Sequence, residues 1–331
     1  MRDIEDILIN KAAVCIIDNN ESEPFIPTKE MELTEVCYEY FDKHIMRCFS
    51  DEDSRPATFQ EGRGMLKEML DEMIDEPESF TRNAGKIARL MKKAMSDDER
   101  EPSADLVALS FECKKGVFIA LMKFNFAEGY THTLADENGE ISIKIEKSAL
   151  ILPGLGQKIQ KTMIYNKNEG VFICDKDKDG WFINGFARLE LGRDGRTNLK
   201  SVRKAVEVYA RKAYEDNADE GETFRRRISE RLRRDDIFDV TSVAESCIEE
   251  PEKKELFTQT IKSTGIDENR IVIDKEWAEK KFQRKRLKVD KNIDLYIDVD
   301  TYNNKDRFFV KKNGDGTVDI VLKNIRNFTE K

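Results

Sequence analysis

ADLVALSFECKKGVFIALMKFNF, residues 104–126, sets two runs rich in β-branched and aromatic residues on either side of Lys114-Lys115-Gly116. That composition and spacing predict a β-hairpin. The second run, Val117 to Phe126, is apolar at nearly every position. A strand of that kind needs cover on both faces, so it belongs at the centre of a sheet. The chain before it reads as largely helical and acidic; the chain after it is mixed and more basic.

Upstream, Ala12-Ala13-Val14-Cys15-Ile16-Ile17 reads as a strand ending at Asp18-Asn19-Asn20, and the Pro24–Pro27 region as a connector. Thr28 is the expected helix N-cap, and Leu33, Cys37, Phe41, Ile45 and Cys48 then recur at helical spacing. His44 borders that stripe with no Cys, Ser or Asp pattern beside it, and reads as structural. Residues 60–75 predict a second amphipathic helix through Met65, Leu66, Met69, Leu70 and Met73. A third starts at Pro77 with Phe80, Ile87, Leu90 and Met91 inward. The methionines read as core filling rather than as a binding groove.

The 331 residues exceed one core of ordinary size, so two domains are expected, 1–190 and 191–331. Residues 1–110 carry 26 acidic and 14 basic side chains, a net of −12, and the remainder 40 and 43, a net of +3. DNA repels an acidic surface, so any nucleic-acid contact is expected from the second half. No apolar run approaches the roughly 20 residues of a membrane span, and MRDIEDILIN has acids where a signal peptide is apolar. Six cysteines lie scattered among mostly apolar neighbours without Cys-x-x-Cys, which fits reduced thiols in a cytoplasmic protein.

Downstream, Asp136-Glu137-Asn138-Gly139 predicts a turn into a strand through Ile141, Ile143 and Ile145, and residues 163–174 predict further strands. Helices are expected from Asn198, near 222–234, at Thr241–Glu249 and from Pro251 to Ser263, the last closed by Gly265. In the second of these, Phe224, Ile228 and Leu232 form a narrow apolar stripe. Arg225, Arg226, Arg227, Arg231, Arg233 and Arg234 cover nearly all the rest, interrupted only by Glu230. Such a helix is either a solvated or ion-paired face or an anion-binding surface, since guanidinium groups bridge phosphates. KKFQRKRLKV, residues 280–289, is a second basic run; Lys281, Arg284, Lys285 and Arg286 around Phe282 fit phosphate binding or edge protection of a strand. Two further strands, 293–299 and from Phe308, precede a hairpin turn at Asn313-Gly314-Asp315-Gly316.

Catalytic and metal signatures are missing from the sequence. Gly154-x-Gly156 lacks the third glycine of a dinucleotide loop, with Ile159 in its place, and reads as a turn. Asp175, Asp177, Asp179 and Gly180 match half of a calcium loop, but Phe186 stands where a bidentate Glu is required, so a solvated turn is expected. Two histidines and unpaired cysteines do not make a zinc site. No catalytic residue, metal or cofactor is assigned.

From end to end the chain resembles the bacterial nucleoid-associated protein family of the YejK/NdpA type. The resemblance is carried by AAVCIID, the acidic helical block, ADLVALSF…GVFIALMKFNF, SIKIEKSALILP and LYIDVDTY…VDIVLKNI, in that order. It implies a cytoplasmic DNA-binding protein of the nucleoid, a homodimer with no catalytic motif, and a topoisomerase as a natural further partner. The fold expected is α+β: acidic helices on a mostly antiparallel sheet, then a helical segment with a small C-terminal sheet. The expected function is non-enzymatic duplex-DNA binding through phosphates with little sequence preference, by the ten basic residues named above. The alternatives are a scaffold whose basic helix binds an acidic protein, or a carboxylate-based metal-dependent nuclease.

Overall fold

The computed structural model describes the chain except residues 1–3, 5, 63, 96–100, 138–139, 177–179, 216, 282, 290–291, 314–316 and 327–331. At 134–137, 140–141, 149–151, 218–219, 281, 285, 288 and 312 it describes the backbone alone. The chain divides into two compact units, Met1–Arg193 and Asp194–Lys331.

The first unit opens with strand β1 (Leu8–Ile17), helix α1 (Glu35–Ser50), β2 (Arg55–Phe59), α2 (Met65–Asp75) and α3 (Phe80–Met95). The hairpin of 104–126 is β3 (Ala104–Cys113) and β4 (Gly116–Asn125). It turns through Gly116 at φ +100°, a region glycine enters without a Cβ penalty. Strands β5 (Ala127–Glu137), β6 (Glu140–Ile151), β7 (Lys161–Asn166), β8 (Gly170–Asp175) and β9 (Leu189–Leu191) follow. Seven of these form one sheet in the order β1-β3-β4-β7-β8-β2-β9, every pairing antiparallel.

β4 sits inside that sheet and is covered on both faces, as its unbroken apolar run requires. Ile119 and Leu121 pack into one core with Leu70 of α2 and Ile87 and Met91 of α3. Phe118, Ala120, Met122 and Phe124 point the other way, into a second core with Phe41, Ile45 and Phe49 of α1. The methionines Met69, Met73 and Met91 are buried in the first of these cores. A π-helical turn, Trp181–Ala187, adds Phe182 and Phe186 to it, framed by positive φ at Gly180 (83°) and Arg188 (52°).

Two local expectations are corrected. Helix α1 starts at Glu35, and its N-cap is Thr34, whose hydroxyl accepts from the Cys37 amide at 3.3 Å. Thr28 cannot start it because residues 25–31 run along the free edge of β1. Phe25 and Ile16 exchange two backbone hydrogen bonds, and the Met31 amide donates to the Ala12 carbonyl. The residues after Gly180 are likewise not a solvated turn, since Trp181, Phe182 and Phe186 are core. Of the calcium-like half loop, Asp177 and Asp179 lie outside the described residues. Asp175 is buried, with Lys161 Nζ 3.2 Å from its carboxylate.

The second unit contains α4 (Gly195–Ala213), α5 (Ala218–Arg234), β10 (Ile237–Asp239), α6 (Val240–Cys247), α7 (Pro251–Ser263), β11 (Arg270–Val272) and α8 (Lys275–Lys281). The unit ends in β12 (Arg284–Val289), β13 (Ile293–Asp298), α9 (Val299–Asn303), β14 (Phe308–Lys312) and β15 (Val318–Leu322). Helices α4 to α8 share one core that includes Val206, Tyr209, Phe224, Ile228, Leu232, Phe257 and Trp277. The terminal strands make two separate two-stranded ladders, β12–β13 and β14–β15, around Ile297, Tyr302 and Phe308. Asp194 and Thr197 form a capping box that starts α4. The short helix α8 was missed by hydrophobic periodicity; its local signal is Asp274, whose carboxylate accepts from the Trp277 amide at 2.9 Å.

Candidate nucleic-acid interface

Helix α5 is positioned by its apolar stripe. Phe224, Ile228 and Leu232 are each buried in the helical core, and the Asn217 side chain caps the N-terminus through the Glu220 amide. With that stripe fixed, about 100° per residue sorts the six arginines into three sets. Arg225 lies on one flank, Arg226 and Arg233 on the back, and Arg227, Arg231 and Arg234 together on the other flank, within roughly 60° of one another.

The first two sets are spent inside the protein. Arg225 Nε lies 3.1 Å from Glu207 and its Nη1 3.8 Å from Glu222. The Arg226 guanidinium sits over the Tyr302 ring, 5.2 Å from its centroid, while the Tyr302 hydroxyl donates to Glu222. Burial, then the Glu222 hydrogen bond, pushes the Tyr302 phenol well above its ordinary range, so it stays neutral and donating. Arg233 is 3.6 Å from Asp300. These contacts tie α5 to the α9 segment. The acids come from the same unit as the arginines.

The third set faces open grooves. Arg227, Glu230, Arg231 and Arg234 line one of 230 Å³ with Ser246 and Cys247 of α6. Arg227 is exposed and makes no ion pair among the described residues. Arg231 donates to the Ser246 hydroxyl at 2.9 Å. Arg234 holds the neighbouring Asp235 at 2.7 and 3.3 Å, which keeps that carboxyl below its usual range. Arg234 also lines a second groove with Arg233, Glu279 and Gln283. The end of α5 thus meets the start of the second basic run, far from it in sequence.

Within that run the charge is partly cancelled. Arg286 makes a two-pronged pair with Asp294 across the ladder, at 3.1 and 2.9 Å, and lies 5.6 Å from the Tyr296 ring centroid. Arg284 is exposed and stands opposite Asp298 in the register. Lys281 closes α8 and Lys285 lies in β12 opposite Ile297; their side chains, and Phe282, are outside the described residues. Of the ten candidates, Arg227, Arg231 and Arg234 are brought together, with Arg284 one residue beyond the Gln283 that lines the adjoining groove.

Sequence reasoning missed a buried pair of lysines in the first unit. Lys123 and Lys161 stand opposite each other in β4 and β7. Lys123 Nζ is 2.7 Å from Glu101, which also accepts from the Trp181 indole at 2.9 Å, and Lys161 lies 5.3 Å from that indole ring's centroid. His44 is buried, edge-on to Tyr40 at 4.6 Å, and held below its ordinary pKa chiefly by burial. Burial raises the thiols of Cys15 and Cys174 to about 11 and that of Cys48 to about 12, which makes them poor nucleophiles. Among the described residues no group of three or more His, Cys, Asp or Glu could hold a metal ion, and no helix is long and apolar enough to cross a membrane.

No curated protein matches the chain. The family model described as nucleoid-associated protein YejK matches residues 14–329.

Proposed function

We propose that this chain, which belongs to the nucleoid-associated protein YejK family, is a non-enzymatic protein of the bacterial nucleoid that binds duplex DNA through phosphate contacts on one flank of α5. The observation that carries this reading is the segregation of Arg227, Arg231 and Arg234 beside Ser246, while Arg225, Arg226 and Arg233 serve the fold. Guanidinium groups on one helical flank offer forked donors to successive phosphates. Such contacts hold the duplex without reading its sequence. Arg284, with Lys281 and Lys285, extends the surface along the second basic run. The first unit, with 37 acidic and 26 basic side chains, is repelled by DNA and is left to protein contacts. In this reading the protein works as a homodimer, and a topoisomerase is the kind of nucleoid partner the acidic unit would meet.

The test is anisotropy with labelled duplex DNA. Arg227→Gln/Arg231→Gln/Arg234→Gln is expected to lose at least about tenfold in affinity at low salt, two to three phosphate contacts being removed. Arg286→Gln, already committed to Asp294, should change little. Equal binding by the triple variant and the unaltered chain would sink the assignment.

A second reading has its own support: carboxylates already hold Arg225, Arg233 and Arg234 of α5, so an acidic protein could satisfy the rest. Under that scaffold reading duplex DNA would fail to compete with the protein partner at moderate salt.

A further inference from the structure

Strands β5 and β6 pair with each other as a two-stranded ladder outside the seven-stranded sheet. Its return leg is rooted on α1, where Tyr40 donates to the Pro153 carbonyl at 2.7 Å and Arg47 to the Leu155 and Gln157 carbonyls. Beyond that root the register places Tyr130 opposite Lys147 and His132 opposite Ile145 on one face, with Ile143 two residues along. The other face carries Thr131, Thr133, Ser142, Lys144 and Glu146. Tyr130, Ile143 and Ile145 are 74%, 68% and 77% exposed. A lone two-stranded hairpin is marginal in water, and an unpaired edge with exposed isoleucines invites another strand.

We infer that β6 is a self-association edge: two copies of the chain pair their β6 strands antiparallel about a two-fold axis at Ile145. The edge is self-complementary at that register. A two-fold centred on Ile145 sets Lys144 opposite Glu146 of the partner subunit, and Glu146 opposite Lys144 of the partner subunit. Opposite charges facing each other across strands are favourable, and like charges are not. The same axis brings the two Ile145 side chains into direct cross-strand contact, with Ile143 on the diagonal. The two hairpins become one four-stranded sheet, the size at which a ladder with an apolar face stands alone. The interface is isologous, as a closed dimer requires. This places the interface of the homodimer proposed above and rests on that reading.

Sedimentation equilibrium on the full chain tests it. The unaltered protein should sediment at twice 38.4 kDa. Lys144→Glu, which sets acids opposite acids at both symmetric positions, should weaken the dimer about tenfold or more, and Ile145→Asp should do the same. Lys144→Glu/Glu146→Lys reverses both partners and should restore it. Far-UV circular dichroism of each variant should match the parent, which tells loss of the interface from loss of the fold. A dimer indifferent to all three changes overturns the β6 interface and leaves the two-copy reading standing. A monomer at every concentration overturns both.

Discussion

Asp105 is the residue whose ionisation works against the fold. It lies in β3 opposite Phe124, on the face that α1 covers, and burial raises its carboxyl to about 6. A carboxyl raised in the folded state binds its proton there more tightly than in the unfolded chain. Stability therefore falls as pH rises from about 4 to about 6, and the full penalty persists above that. Asp105→Asn removes the charge while keeping the shape. It should stabilise the protein at pH 7.5 by about 1 kcal/mol, a modest gain because the group is only partly buried, and leave it unchanged near pH 4. Calorimetric melting at the two pH values measures this. An Asn variant equal to the parent at pH 7.5 would show the carboxyl to be solvated. This residue was not legible in the sequence, where Asp105 reads as one more acid at a strand start. Its penalty comes from α1 lying across the strand.

At the scale of elements, the ends of β4, β7 and β8 are closed by charge rather than by apolar packing. Lys123, Lys161 and Asp175 occupy successive register positions, and Glu101 links Lys123 to Trp181. Lys123→Met would leave Glu101 buried against the indole without its cation, and breaking one partner of a buried pair costs about 3–5 kcal/mol. Urea denaturation should show that loss, and Lys123→Met/Glu101→Gln should regain part of it by removing the orphaned charge as well. A single variant within about 1 kcal/mol of the parent would mean that solvent reaches the pair. The elements themselves were largely legible: the run 117–126 announced a strand covered on both faces, and Phe224, Ile228 and Leu232 announced the buried side of α5. The sorting of the arginines was not. Local periodicity fixes which side of a helix is buried, whereas the partners of the exposed sides arrive from far along the chain. Tyr302 and Asp300 claim Arg226 and Arg233 from some 70 residues away. In the second basic run the partner arrives in the same way, since Asp294 returns on the next strand to pair with Arg286.

For the whole molecule the charge distribution sets how the proposed DNA binding would respond to salt. The second unit holds 31 basic and 29 acidic side chains, so it is nearly neutral and offers no broad positive field. Affinity must then come from a few local contacts. Each neutralised phosphate contributes about −0.9 to the slope of log affinity against log salt. If all ten candidate side chains met phosphates, the slope would approach about −9. With Arg225, Arg226, Arg233 and Arg286 engaged inside the chain, contact by Arg227, Arg231, Arg234, Lys281, Arg284 and Lys285 gives about −5. The acidic first unit flattens the dependence further at low salt, since screening also relieves its repulsion from the duplex. An anisotropy salt series on the intact protein measures this slope, and repeating it with Arg227→Gln should reduce it by about one. A slope near −9 would mean that the internal ion pairs open when DNA arrives, making α5 a helix that exchanges its own carboxylates for phosphates. A slope of zero with measurable affinity would remove phosphates from the mechanism altogether.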